Sequence, residues 1–185
     1  MLNCEPFLFL KDTYQINLMK NGILLILTVL FSLNIQAQDF RVPKRLKLEK
    51  AEDYAKYEDD VLKAVKWLKN TPVHEQKSKR KEVGAFLLKW ITGAPDLTLT
   101  IDLKVCPYAE DPDCFLMFMA GWTEYALSKK DDSASEGAYA GTIAVLDFYE
   151  KNKYELGRVK GIKKLIKKRK KGKLKAHIEK LTKNY

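Results

Sequence analysis

Histidine is nearly absent from this chain: 185 residues contain two, His74 and His177, and only three cysteines. Neither histidine has a cysteine or carboxylate at metal-ligand spacing, so zinc chemistry and histidine catalysis find no support. His74 reads as a first-turn helix residue and His177 as a surface residue. No serine occupies a Gly-x-Ser-x-Gly elbow, and no Ser-x-x-Lys stands beside a supporting motif. The oxygen-rich run Asp131–Ser135 fails as a calcium loop, because glycine is required at the sixth position and glutamate at the twelfth, where Glu136 and Thr142 stand. Carboxylates cluster at Glu58, Asp59 and Asp60 and at Glu110, Asp111 and Asp113. An acid–base pair needs one carboxyl raised in a cleft, whereas acidic runs at helix starts are normally solvated and favoured by the helix dipole. No enzyme class, cofactor or metal is indicated.

Long apolar runs are also scarce. The one candidate lies in residues 19–38, MKNGILLILTVLFSLNIQAQ, where the uncharged apolar stretch runs from Gly22 to Leu33. As a helix it covers roughly 18 Å, short of a ~30 Å hydrocarbon layer but within the span of a secretory h-region. Residues 1–37 are therefore expected to be an over-called start plus a signal peptide, with the true start at Met19 and cleavage after Ala37. The competing outcome is an uncleaved N-terminal anchor. Either way the chain is expected in the periplasm or outside the cell, as one helical domain over 38–185 with no transmembrane span.

Charge is unevenly placed. From Lys151 onward fifteen lysines and arginines face two acids, while the whole chain carries +10, so the preceding body is slightly acidic. Cys4 departs with the leader, which leaves Cys106 and Cys114 in CPYAEDPDC. In an oxidising compartment these could close a small ring; the alternative is two unpaired thiols, with Cys114 packed as a small hydrophobe.

Helical periodicity dominates the rest. Ala51, Tyr54, Val61, Val65 and Leu68 predict a helix over about 49–69. Thr71-Pro72 has the cap-then-proline form of a new start, predicting a second helix to about Thr92, antiparallel to the first. Leu97, Leu99, Ile101 and Leu103 alternate with polar residues, read as an extended connector laying one face on the helices. Asp111-Pro112 starts a helix that is apolar on nearly every side and so central. Ser133-Ala-Ser-Glu136 is a capping box. Beyond it Gly137, Gly141 and Ala144 offer small surfaces to the bulky helix before. The expected fold is mainly α: a compact bundle of about five to six helices in αα-hairpins, with one extended segment near 97–104 and basic helices from about 151.

That basic tail holds Lys160, Lys163, Lys164, Lys167, Lys168, Arg169, Lys170, Lys171, Lys173 and Lys175. Nucleic acid is disfavoured as a partner, since export separates them and no aromatics interleave for base stacking. Anionic head groups, lipopolysaccharide or acidic polysaccharide fit better. Val159, Ile162, Leu165 and Ile166 make an amphipathic stretch that either lies on such a surface or completes the core. In its leader, its Ala37-Gln38 junction and its AGWTEYAL segment (120–127), the chain resembles small exported α-helical proteins of Bacteroidetes type to which no activity is attached. That resemblance implies export and helical structure and brings no catalytic residues. The expected function is a non-enzymatic module binding a protein or an envelope polyanion; a small enzyme is the distant third reading.

Overall fold

The computed structural model describes residues 40–183. The leader, with its start at Met19 and cleavage after Ala37, lies outside the described residues. Among them are seven helices: α1 (Ala51–Ala55), α2 (Glu58–Asn70), α3 (Lys77–Gly93), α4 (Pro112–Lys129), α5 (Ala134–Leu156), α6 (Ile162–Lys170) and α7 (Leu174–Thr182). No strand occurs among the described residues, and the mainly α expectation holds.

The centre is α4. Asp111 caps it, its side chain accepting from the Cys114 amide at 2.8 Å, with Pro112 in the first turn. Its buried residues, from Cys114 through Met117, Phe118 and Met119 to Trp122 and Thr123, cover most of its circumference. The partner is α5, started by Ser133, whose hydroxyl accepts from the Glu136 amide at 3.4 Å. Only half of the expected box forms. Ser133 gives its own amide to Asp131 at 3.0 Å, and the Glu136 carboxylate pairs with Lys175 of α7 instead.

The seam between α4 and α5 sets large residues on small ones. A Cβ at Gly137 would lie 2.1 Å from Trp122 Nε1, and one at Gly141 would lie 2.6 Å from the Phe118 carbonyl oxygen. Only the absence of side chains there lets the backbones approach. Phe118 in turn meets Trp122 edge-on at 5.7 Å and the buried Tyr108 at 6.0 Å, the geometry aromatic quadrupoles favour.

Three boundaries differ from the sequence reading. The first helix is broken at Lys56-Tyr57, where the Tyr57 hydroxyl donates to the Arg45 carbonyl at 3.2 Å. The second begins at Lys77, not at Pro72. Thr71 ends α2 rather than capping α3, and its carbonyl accepts from Arg80, while the Val73 amide donates to Asn152 at 2.9 Å. Long-range hydrogen bonds thus hold 71–76 open where local signals favoured helix. The 97–104 segment is neither helix nor strand and enters a turn at Leu103, and its inward face lasts only through Leu97 and Leu99. Ile101 and Leu103 are exposed, because Asp102 turns the chain, its side chain accepting from the Lys104 amide at 2.7 Å and its carbonyl from Val105.

Near its end α5 bends. Asn152 has φ −116° and ψ 19° inside the helix and is 3% exposed; its amide nitrogen donates to the Phe148 carbonyl at 2.9 Å. After the bend, α6 and α7 fold back. Ile162, Leu165, Leu174 and Ile178 enter the core, so the apolar side of the basic helix is spent on packing.

Candidate functional site

The cysteines correct one expectation. Cys106 and Cys114 are both buried and both free, not joined in a disulfide, and lie outside bonding distance of each other. Cys106 Sγ donates to the Asp102 carbonyl at 3.1 Å. Cys114 sits in the first turn of α4, facing the core. Burial pushes both thiols up from their ordinary range, and Asp111 adds to the effect at Cys114. Thiolate is disfavoured at each, which is the opposite of nucleophile activation.

The ten basic residues separate into two sets. Lys160 pairs with Glu110 at 2.8 Å, Arg169 with Asp147 at 2.6 Å and Glu150 at 2.7 Å, and Lys175 with Glu136 while lying 5.9 Å from the Tyr139 ring. These contacts staple α6 and α7 to the body. Lys163, Lys164, Lys167, Lys168, Lys170, Lys171 and Lys173 have no carboxylate within ion-pair range among the described residues. Of these, Lys163, Lys164 and Lys167 border an open depression of about 1250 Å³ with Arg158 and Lys160, floored by Tyr149, Val159 and Ile166. His177, half-buried on α7, is held below its ordinary value by burial and then by Lys168, Lys164 and Lys180. The ring therefore senses the local cation density.

A second feature lies at the opposite charge. A cleft of about 580 Å³ is lined by Ala51, Tyr54 and Ala55 of α1, Glu58 of α2, Trp90 of α3, Ala94–Leu97, Ala126 and Leu127 of α4, and Lys130–Asp132. Its back wall is an aromatic corner: Tyr54 and Trp90 stand 6.2 Å apart at 58°, and Trp90 Nε1 donates to the Tyr54 carbonyl at 3.1 Å. Tyr54 lies so close over the last turn of α3 that a Cβ at Gly93 would meet its hydroxyl at 2.0 Å. The C-terminal ends of α3 and α4 and the N-terminal ends of α1 and α2 all reach this cleft, so helix-end charges of both signs meet there. At the rim Glu58, Asp96 and Asp132 lack partners among the described residues, against one lysine, Lys130. Asp131 is occupied, accepting from the Tyr125 hydroxyl and the Ser133 amide, and is held below the usual carboxylate range chiefly by the Tyr125 bond. Tyr125 is pushed up to about 12 by the same contact. Among the described residues no three His, Cys, Asp or Glu side chains converge as a metal-holding group. The sequence pattern places Ala51, Tyr54 and Leu97 on apolar faces but gives no sign that they line a common cleft.

Arg80 is the third unusual group. It is 6% exposed, lies over the Phe148 ring at 5.4 Å, donates to the Thr71 and Leu68 carbonyls, and faces Asp113 at 3.7 Å. Those carbonyls close the C-terminal end of α2, where a cation complements the dipole. Burial lowers Arg80 and raises Asp113. His74 sits beside Glu155 at 3.1 Å on the outer side of the 71–76 linker. No protein-family model, curated protein or solved structure matches the chain.

Proposed function

We propose that this chain is an exported helical domain, periplasmic or secreted, that acts by binding a macromolecule and not by catalysis. Tyr108 and Cys114, both pushed up by burial, support that reading because both are enclosed by core packing rather than exposed to a cleft. Turnover of any ester, glycoside or peptide in a broad panel, lost on a single carboxylate substitution, would refute it.

A specific observation favours one class of partner, an anionic polymer or head group of the cell envelope. Among the described residues, seven basic residues of the α6–α7 region lack acidic partners while Arg169 and Lys175 on the same helices are paired. Fixed cations that no protein group neutralises attract counterions, and a polyanion gains by releasing them. Because Ile162 and Leu165 are already in the core, while Val159 and Ile166 lie at the bottom of the depression, contact would be made first through the bordering lysines. Cosedimentation with anionic and with neutral vesicles across a salt series tests it. Binding should require anionic lipid, weaken with salt, and fall when Lys163, Lys164 and Lys167 become glutamine. Binding that ignores salt, or survives that change, removes the idea.

A further inference from the structure

We propose that the cleft between Tyr54 and Trp90 is a binding site for a small organic cation, a primary ammonium carried on an apolar or aromatic body. Its volume of about 580 Å³ is in the range of small-ligand sites, roughly 300 to 1,000 Å³. The chemistry of the walls selects the ligand. Aromatic surface at the back and alanines at the sides suit an apolar body. Trp90 is 2% exposed behind Tyr54, so the accessible ring is that of Tyr54, whose face attracts a cation within about 6 Å of its centroid. Among the described residues the rim carboxylates Glu58, Asp96 and Asp132 have no ion-pair partner, against the single Lys130. The C-terminal ends of α3 and α4 and the N-terminal ends of α1 and α2 both reach the cleft, so the cation preference rests on the carboxylates and not on helix dipoles.

The three rim carboxylates are spread apart and form no metal-holding cluster. A compact divalent ion, which needs several oxygens within about 2.6 Å, is therefore poorly served. An ammonium whose apolar body fills the cleft meets both requirements at once. This site stands apart from the lysine face, which would repel such a ligand, so the two proposals succeed or fail separately.

The test uses phenethylammonium as probe, with 2-phenylethanol as its neutral counterpart, added to the isotope-labelled 185-residue chain and followed by amide and indole NMR shifts. Shifts are expected at Tyr54, the Trp90 indole and Ala126, saturating with the amine. The alcohol should bind about tenfold more weakly, and the amine should weaken about threefold between low and physiological salt. The variant carrying Glu58→Gln, Asp96→Asn and Asp132→Asn should lose the preference for amine over alcohol. Absent or scattered shifts with the amine, or equal binding of the alcohol, would overturn the proposal. Both comparisons use the unaltered chain and so decide the matter whether or not the variant folds.

Discussion

Replacing Gly141 with alanine should destabilise the domain, although alanine is the better helix former. The new methyl would sit 2.6 Å from the Phe118 carbonyl oxygen and 2.8 Å from that residue's ring. The obstacle at 2.6 Å is backbone, so relief requires α4 and α5 to separate along their seam. Overpacking of this kind costs about 1 to 3 kcal/mol, and a contact with backbone belongs at or above the upper end. The intrinsic gain of alanine over glycine within a helix returns about 1 kcal/mol. The net loss is about 2 kcal/mol, and a domain of this size shifts by about 3 °C for each, so the melting temperature should fall by about 6 °C. Gly84→Ala is the control. Its methyl would meet only the tip of Leu116, at 3.0 Å, and a side-chain tip can rotate aside. The helix-propensity gain then stands, leaving the melting temperature unchanged or slightly higher. Paired thermal melts by circular dichroism measure both. Equal melting temperatures for the two variants would refute the claim that backbone contact sets the α4–α5 spacing.

Asn152→Ala should lower stability by about 1 to 3 kcal/mol, since the Val73 amide loses its acceptor in a half-buried position; urea unfolding measures it, and a change under 0.5 kcal/mol would contradict the assignment. Arg80→Ala should cost about 2 to 4 kcal/mol by stripping the end of α2 of its donor and opening space beside Phe148, whereas Arg80→Met, which refills the space, should lose visibly less. His177 is held below its ordinary value near 6.5, so the fold favours the neutral ring. Its contribution is therefore complete above pH 6.5 and is lost as pH falls below it, toward the folded-state value. A pH series of melts should show that slope in the parent and not in His177→Gln. A bound polyanion should move the His177 ring titration upward, back toward the ordinary value, which proton NMR can follow.

Where structure was legible in the sequence, the cause was local. Asp111-Pro112 and Ser133 start α4 and α5 because each cap closes within three residues, on the Cys114 and Glu136 amides. The small residues of α5 were readable as a surface for the bulky α4, since adjacent helices with a short connection pack together. What could not be read depends on partners distant in the chain. Thr71-Pro72 carries a valid start signal, yet Arg80 and Asn152 claim the backbone around it. The break at Lys56-Tyr57 leaves the apolar period intact on both sides, so periodicity ran through it. The cleft combines three separate stretches of chain, 51–58, 90–97 and 126–132, and no spacing rule links them. On the tail, composition identified the lysines but not their division into stapled and unpaired sets, because the carboxylates of Asp147, Glu150 and Glu136 come from a different helix.

The break between α5 and α6, made at Gly157 and Gly161 in positive-φ conformations, also decides the geometry in which positive charge reaches the outside. Had the chain run on as one helix past Leu156, the lysine-rich remainder would project as a pole. Doubled back onto the body and anchored by four aliphatic residues, it carries its lysines on a packed scaffold instead.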